Sequence, residues 1–218
     1  MSHDTVPATG ADESPVGLTL TTADGLALEA ERRLPTDARA AVVLAHPHPA
    51  QGGSMRSLVT SELFRLLPDA GVGALRFNFR GVEGSEGTHQ AGQAEHLDIE
   101  AAIAALADHA PDLTMLVVGW SFGADVALTV TDPLLAGWVL LAPPLRVVAD
   151  DAMLAAQDPR PKLVVVPEHD QFNPPDAARA AVAGWIATEV RVVAGADHFF
   201  AGRTQQVADL VVAFVDSL

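Results

Sequence analysis

Residues 114–130 read TMLVVGWSFGADVALTV, in which an apolar run leads into the pentapeptide GWSFG (119–123) and then into a helical stretch. A G-x-S-x-G pentapeptide between a strand and a helix holds its serine in a strained backbone conformation at a sharp turn. Glycine is required on both sides because a side chain there would collide with the neighbouring strand or helix. The segment therefore predicts that Ser121 is a nucleophile at the end of a strand. A serine that merely caps the following helix satisfies the same local pattern and is the alternative.

Short apolar runs and helical stripes alternate along most of the chain on both sides of this segment. Continuously apolar runs are typical of strands buried on both faces, whereas apolar residues repeated at helical spacing are typical of amphipathic helices. The alternation predicts an α/β fold in which a mostly parallel, twisted sheet carries helices on both faces. The expected strands cover residues 40–45, 73–77, 114–119, 138–142, 162–166 and 189–193, and the helical stripes cover 55–66, 99–106 and 207–218.

The N-terminal region differs from the rest of the chain. Residues 1–16 are mostly polar and carry two prolines without any periodicity, so we expect a flexible leader followed by a single domain over residues 17–218. Residues 18–22 and 26–33 predict an antiparallel hairpin at the edge of the sheet, with its turn at Asp24-Gly25.

Composition limits the classes of partner. The 218 residues include 28 acidic and 13 basic residues, and the resulting formal charge of −15 opposes binding to nucleic acid and to anionic membrane surfaces. Apolar residues make up 49% of the chain, enough for one core, but no apolar run is long enough to predict a membrane span. The absence of cysteine excludes disulfides, zinc-thiolate sites and cysteine nucleophiles. We expect a cytoplasmic monomer or homodimer with neither nucleic acid nor membrane as a partner.

A serine hydroxyl becomes a nucleophile when a base lies within hydrogen-bonding reach and a carboxylate orients that base. After a G-x-S-x-G turn these partners follow in the order acid, then histidine. Asp170 lies in the loop after the strand at 162–166, and His198 lies in the loop after the strand at 189–193. Since the C-terminal ends of parallel strands meet at one edge of a sheet, we predict a catalytic triad of Ser121, Asp170 and His198.

Other carboxylates remain candidates for the acid. Asp197 is adjacent to His198, but neighbouring residues seldom direct their side chains at each other. Asp150 and Asp151 are further alternatives. The purely structural interpretation of Asp170 is an Asx turn before the two prolines that follow it.

The negatively charged oxygen of a tetrahedral intermediate needs two hydrogen-bond donors that are fixed in advance. The residue after the nucleophile supplies one of them, the backbone N–H of Phe122. The loop after the strand at 40–45 reads HPHPAQGG (46–53). Because the prolines of this loop carry no N–H, we assign the second donor to the backbone of His48.

The same loop allows a different interpretation, since two histidines separated by one residue are typical of dinuclear metal sites. His46 and His48 would then bind metal together with His169, Asp170 and His198, and the protein would be a metallohydrolase. That arrangement calls for an aspartate two residues after the second histidine, where this chain has alanine. It also gives the G-x-S-x-G turn at 119–123 no catalytic role. We therefore expect neither a metal nor a cofactor.

Five blocks of the chain together resemble the small bacterial serine hydrolases related to dienelactone hydrolase. The blocks are HPHPAQGGSM (46–55), RFNFRGVEGSEG (76–87), GWSFGADVAL (119–128), EHDQFNPP (168–175) and ADHFF (196–200). The resemblance implies an α/β-hydrolase fold without a lid and a Ser-Asp-His triad. Dienelactone hydrolase itself uses a cysteine nucleophile, so its lactone chemistry does not transfer to this chain.

The function expected from the residues and from the resemblance is a serine esterase. It would cleave small carboxylic esters or thioesters through an acyl-enzyme intermediate, with a small-molecule acyl substrate as its partner. Residues 143–161 are too few for a cap domain, so the site should be open. Acyl transfer to an alcohol, amine or peroxide on the same triad, and a catalytically silent binding module, are the alternatives. Apolar residues near the strand ends are candidates for the pocket lining, although each can also pack in the core: Met55, Trp120, Leu145, Phe172 and Phe199.

Overall fold

An eight-stranded sheet runs through the computed structural model, which describes residues 14–218. The strands are β1 (Val16–Thr21), β2 (Ala27–Arg33), β3 (Ala40–Ala45), β4 (Val72–Phe77), β5 (Thr114–Trp120), β6 (Leu135–Leu141), β7 (Lys162–Pro167) and β8 (Thr188–Val193). The helices are α1 (Leu58–Asp69), α2 (His96–His109), α3 (Phe122–Ala127), α4 (Pro175–Ala181) and α5 (Thr204–Val215). The sequence patterns do not predict α4, because its seven residues are too few to show a helical period.

The order of strands across the sheet is β1-β2-β4-β3-β5-β6-β7-β8. β1 pairs with β2 and β2 with β4 in antiparallel fashion, whereas all other neighbours are parallel. The predicted fold, a mostly parallel sheet with an antiparallel hairpin at its edge, is thus confirmed. Every residue of β3 and β7 is buried because helices cover both faces of the sheet, which explains why these strands read as continuous apolar runs.

The helices cover the two faces of the sheet in separate groups. α2, α3 and α4 pack on one face, where Ile103 and Trp138 belong to a single buried cluster. α1 and α5 pack on the other face, where Phe64 and Val211 belong to a second cluster. Burial of apolar surface, worth about 25 cal/mol per Å², is the dominant stabilising term for such a layered fold.

Two details differ from the sequence expectation. Met55, which the apolar stripe places in the first helix, precedes α1, and its N–H donates to Asn78 Oδ1 at 2.8 Å. The expected leader over residues 1–16 lies mostly outside the described residues, and β1 already begins at Val16. Among the helices within residues 14–218, none combines the length and the apolar character that a membrane crossing requires.

The connection from β6 to β7 is short. It carries two 3-10 helices, Asp150–Ala152 and Leu154–Gln157, and no inserted domain. The loops that follow β3, β5, β6, β7 and β8 therefore meet at the C-terminal edge of the sheet without a cap above them. Nucleophilic and titratable side chains lie at this edge, as expected for a parallel α/β sheet.

Candidate active site

Ser121 occupies the sharp turn between β5 and α3. Its backbone angles are φ 54° and ψ −117°, a conformation that is costly for any residue other than glycine. The turn is held from both sides, because Ser121 N–H donates to Leu141 O at 2.8 Å and Ser121 O accepts the N–H of Ala124 at 2.9 Å. Ser121 stands at the N-cap of α3, yet its side chain makes no capping hydrogen bond. The helix-cap interpretation therefore does not describe this serine.

The two glycines of the pentapeptide permit close approach of neighbouring backbones. A Cβ on Gly119 would lie 2.5 Å from Cα of Ala124, and a Cβ on Gly123 would lie 2.7 Å from the carbonyl carbon of Ala45. Both distances are shorter than real Cβ contacts. A larger residue at Gly119 would therefore separate β5 from α3, and one at Gly123 would separate α3 from β3.

His198 joins Ser121 to Asp170. His198 Nε2 lies 3.0 Å from Ser121 Oγ, and His198 Nδ1 lies 3.0 Å from Asp170 Oδ2. His198 and Asp170 are both buried. A carboxylate at Nδ1 keeps the proton on that nitrogen and leaves Nε2 as the acceptor for the serine hydroxyl. The structure thus brings the three side chains of the predicted triad into one hydrogen-bonded row.

The local environment of Asp170 explains the direction in which its carboxylate points. Oδ1 accepts the N–H of Phe172 at 2.8 Å and that of Asn173 at 3.3 Å, which is an Asx turn. Oδ2 is left to bind His198. The Asx turn and the contact with the histidine are therefore two functions of the same carboxylate, not alternatives.

The loops that carry the acid and the histidine are tied to each other. Glu168 Oε2 accepts the N–H of Gly195 at 2.7 Å, and the N–H of His169 donates to Ala196 O at 2.9 Å. Trp120 Nε1 donates to the carbonyl of His198 at 3.2 Å. These bonds fix the backbone of His198 relative to both neighbouring loops, which keeps the imidazole within hydrogen-bonding distance of Ser121.

The other carboxylates considered for the acid lie elsewhere. Asp197 is exposed, and its Oδ1 accepts the N–H groups of Phe199 and Ala201 at 3.0 and 3.3 Å. Asp150 and Asp151 are exposed on the 3-10 helix between β6 and β7. Within the described chain, Asp170 is the carboxylate that contacts His198.

Two backbone N–H groups beside Ser121 are available as donors. Phe122 is the first residue of α3, where an N–H has no partner inside the helix, and both Phe122 and His48 line the cavity that contains Ser121. Within residues 14–218 neither N–H has a hydrogen-bond acceptor. His48 is held in place by Ala50 N–H, which donates to its Nδ1 at 3.2 Å, and by Gly53 N–H, which donates to its carbonyl at 3.0 Å.

His46 supports this loop from inside the core. Its side chain is fully buried, Nδ1 donates to Pro47 O at 2.6 Å, and Nε2 accepts the N–H of Phe79 at 3.0 Å. Burial lowers the pKa of His46 to about 4 and so keeps the ring neutral. Because both ring nitrogens have backbone partners, no lone pair of His46 is free for a metal ion. His169 of the metal interpretation is exposed.

Comparison with known proteins shows the family to which the chain belongs. Residues 38–211 match the family model described as an alpha/beta hydrolase domain. The chain belongs to the α/β-hydrolase family. Membership of this family supports a hydrolytic function for the chain.

Individual relatives of this α/β hydrolase cover most of its length. An uncharacterised protein of Rickettsia prowazekii is 31% identical over 176 residues, which cover 76% of this chain and 74% of that protein. A solved α/β serine hydrolase homologue from Coxiella burnetii is 29% identical, with a TM-score of 0.80 and coverage of 91% of this chain and 96% of that chain. A serine hydrolase without a lid from Xanthomonas campestris is 24% identical, with a TM-score of 0.80 over 98% of this chain and 96% of that chain. At that identity the last likeness shows the fold alone.

Asp125 of this α/β hydrolase is a fully buried carboxylate on α3 that the sequence patterns did not reveal. Oδ1 accepts the N–H of Leu145 at 3.0 Å, and Oδ2 accepts those of Arg146 and Val147 at 2.8 and 2.9 Å. Burial raises the pKa of Asp125, although the three N–H donors act in the opposite direction. The loop after β6 is thereby fixed to the helix that begins beside the nucleophile. An acidic residue in an otherwise apolar helix was the available signal.

Glu95 is a second buried carboxylate that the sequence patterns did not reveal. It is fully buried, and its Oε2 accepts the N–H of Gly92 at 2.9 Å. His89 Nδ1 lies 2.8 Å from Glu95 Oε1, outside hydrogen-bonding angles. The His89 ring packs against the rings of His48 and Phe122, at 5.1 and 5.2 Å between centroids. The His89 ring, which lies beside Glu95, thus packs against the side chains of the two residues whose N–H groups are available.

Two cavities open beside Ser121. The first has a volume of about 360 Å³ and includes Ala91, Pro144, Arg146 and Val147 in its lining. The second has a volume of about 240 Å³ and an apolar wall. Residues common to both cavities show that Ser121 lies between them: His48, Gln51, Ser121, Phe172 and His198.

The five apolar lining candidates divide into two groups. Trp120, Phe172 and Phe199 line the second cavity. Met55 is fully buried and lines neither cavity, and Leu145 packs against the core on the α2 face. The Met55 side chain thus lies in the core, whereas that of Leu145 is only partly buried against it. Met55 N–H donates to Asn78 Oδ1 and Leu145 N–H donates to Asp125 Oδ1, so both backbones are fixed, although the neighbours of Leu145, Arg146 and Val147, do line the first cavity.

Proposed function

We propose that this α/β hydrolase cleaves small carboxylic esters or thioesters through an acyl-enzyme intermediate on Ser121. The observation that carries the proposal is the hydrogen-bonded row of Ser121, His198 and Asp170 at a strained turn. Strain at a non-glycine residue persists only where the surrounding structure enforces it, and it is concentrated at functional sites. The description of the Coxiella burnetii relative as a serine hydrolase homologue supports the same chemistry.

The proposed reaction has two halves. Ser121 Oγ attacks the acyl carbon while His198 Nε2 takes the hydroxyl proton, and the same nitrogen then gives that proton to the leaving alcohol or thiol. In the second half, His198 Nε2 takes a proton from water as the water oxygen attacks the acyl carbon, and the imidazolium then returns that proton to Ser121 Oγ as the bond to the acid breaks. Asp170 remains ionised throughout and stabilises the imidazolium at Nδ1.

The oxyanion of each tetrahedral intermediate requires fixed donors. We assign this role to the N–H groups of Phe122 and His48, which line the cavity and have no acceptor among the described residues. Each such donor is worth on the order of 10²-fold or more in kcat in enzymes of this type. The packing of the His89 ring against the rings of His48 and Phe122 supports the assignment, because it helps to fix the two residues that carry the donors.

A fluorophosphonate probe tests the nucleophile directly. The wild-type protein should be labelled at Ser121, and Ser121→Ala should abolish both labelling and turnover of p-nitrophenyl esters. Ser57→Ala removes the other serine of the second cavity and is the matched control, which should retain labelling. Labelling that is absent in the wild type, or unchanged in Ser121→Ala, would refute the proposal.

A panel of short-chain to long-chain esters, thioesters and lactones identifies the acyl group. Transfer to an alcohol, amine or peroxide uses the same residues, so product analysis in mixed nucleophiles distinguishes transfer from hydrolysis. An absence of turnover across the panel together with an absence of labelling would support a binding module on this scaffold instead.

A further inference from the structure

Arg146 brings an unpaired positive charge to the first cavity beside Ser121. It lines that cavity together with Phe172 and His198, and no other residue of the lining is an aspartate, glutamate, lysine or arginine. Within residues 14–218, no carboxylate or carbonyl accepts a hydrogen bond from its guanidinium, whereas arginines such as Arg80 bind carboxylates. Most arginines of the described residues form ion pairs with carboxylates, whereas the exposed Arg146, like Arg179, forms none, and of these two only Arg146 lines a cavity beside Ser121.

The backbone of Arg146 is fixed beside the cavity, which limits the region that its exposed side chain can reach. Asp125 accepts the N–H groups of Leu145, Arg146 and Val147 through its two oxygens. These backbone donors occupy the Asp125 carboxylate, and its oxygens form no contact ion pair with the guanidinium, although the Arg146 charge acts to lower the pKa of Asp125 that burial raises. The Arg146 guanidinium carbon lies 5.5 Å from the centre of the Phe172 ring, and that ring lies 4.5 Å from the ring of His198. The cation is thus held at the rim of the cavity that contains the histidine.

We propose that Arg146 binds an anionic group of the substrate, so that the preferred substrates are esters or thioesters that also carry a carboxylate. The inference rests on the proposed hydrolase function and names its substrate class. A guanidinium offers a planar pair of donors that matches a carboxylate. The net charge of −15 disfavours anionic ligands over most of the surface. A local cation beside the nucleophile favours the binding of such a substrate, and Arg146 provides one.

The second cavity is suited to the uncharged part of the same substrate. Its wall includes Leu58, Trp120 and Phe199, and it contains no arginine, lysine, aspartate or glutamate. Because Ser121 lines both cavities, a substrate with its reactive carbonyl at Ser121 extends its carboxylate towards Arg146 and its apolar part towards Trp120. The structure therefore favours an amphiphilic substrate over a uniformly apolar one.

Matched pairs of substrates test this inference. The mono-p-nitrophenyl ester of adipic acid and its methyl ester differ in one negative charge on the acyl side. 4-Acetoxybenzoate and its methyl ester differ in the same way on the leaving-group side. We expect the charged member of one pair to have a kcat/KM about ten- to hundredfold higher than that of its neutral methyl ester. This ratio corresponds to the energy of a charge-assisted hydrogen bond. The pair that shows the preference identifies the arm that reaches Arg146.

Substitutions assign the preference to the residue. Arg146→Gln should reduce the charged-to-neutral ratio of kcat/KM to about one, Arg146→Lys should retain part of it, and Arg146→Glu should reverse it. Arg179→Gln is the matched control, because Arg179 is an exposed arginine on α4 that lines neither cavity. The control should retain the full ratio although it changes the net charge equally. The ratio should also decrease with ionic strength.

Failure of this inference differs from failure of the proposed function. If wild type and Arg146→Gln show the same charged-to-neutral ratio while Ser121 is labelled, the anion subsite is refuted and the hydrolase stands. If no ester is turned over, calorimetric binding of the monoanilide of adipic acid to Ser121→Ala still decides the question. Binding that is at least about tenfold weaker in Ser121→Ala/Arg146→Gln supports the subsite, and equal binding refutes it.

Discussion

Oδ2 of Asp170 lies 3.0 Å from Nδ1 of His198, and the two residues are 28 positions apart in the chain. The carboxylate is oriented before it meets the histidine, because its other oxygen accepts two N–H groups of its own loop, those of Phe172 and Asn173. Asp197 is next to His198 in sequence but turns its carboxylate to the N–H groups that follow it. The carboxylate that contacts His198 in space is therefore that of Asp170, whereas the one nearest in sequence is that of Asp197.

The first prediction compares these two aspartates. Asp170→Asn should lower kcat for an activated ester by about 10³- to 10⁴-fold, because an amide at this position no longer holds the proton on Nδ1 of His198. Asp197→Asn should lower kcat by less than about threefold, since an exposed turn residue contributes little. Steady-state kinetics on both variants checks the pair. A larger effect of Asp197→Asn than of Asp170→Asn would show that Asp197, and not Asp170, is the acid of the triad.

Much of the fold and of the site could be predicted from the sequence, because the apolar residues follow regular patterns and the triad residues follow one another in a fixed chain order. Continuous apolar runs reported the buried strands, and the chain order of Ser121, Asp170 and His198 reported three loops at one edge of the sheet. The contacts of Asp125 and Glu95 could not be predicted in this way. Both carboxylates bind backbone N–H groups of loops, and every non-proline residue offers the same N–H, so no residue type marks the partner.

The second prediction concerns the close approach at the serine turn. Gly119→Ala should reduce the free energy of unfolding by about 3 kcal/mol or prevent folding, because the new Cβ meets the backbone of Gly123 and Ala124. Gly184→Ala is the control, since a Cβ at Gly184 meets nothing within 4 Å and the position has no left-handed backbone angle. Urea unfolding of both variants measures the difference. Equal midpoints would show that β5 and α3 can separate without cost.

The third prediction concerns Asp125 and the loop that carries Arg146. Asparagine in place of Asp125 has one acceptor oxygen, so at least one of the three N–H groups loses its partner. Asp125→Asn should therefore lower the free energy of unfolding by about 1–3 kcal/mol and raise KM, because the loop lines the cavity. Asp150→Asn, an exposed change in the same connection, should alter neither. Thermal unfolding and ester kinetics on the two variants are the measurements.

The fourth prediction is a pH dependence of stability that arises from His46. Burial lowers the pKa of this histidine from its ordinary value of 6.5 to about 4. Between these two values the unfolded chain binds a proton that the folded protein does not, so stability is fully present above pH 6.5 and is lost as the pH falls towards 4. At a pH of about 4.5 this residue alone should cost about 2 kcal/mol relative to neutral pH.

The variant His46→Gln isolates that contribution, because an amide oxygen can accept the N–H of Phe79 but carries no titratable proton. Burial raises the pKa of Asp98 and Asp125, which makes stability fall as the pH rises and so opposes the histidine. Both carboxylates remain in the variant, so they cancel when the two proteins are compared. Urea unfolding at a pH of about 7 and of about 4.5 should show a loss in wild type that exceeds the loss in His46→Gln by about 2 kcal/mol. If both proteins lost the same free energy, His46 would be protonated in the folded state and its bond from Phe79 N–H could not exist as described.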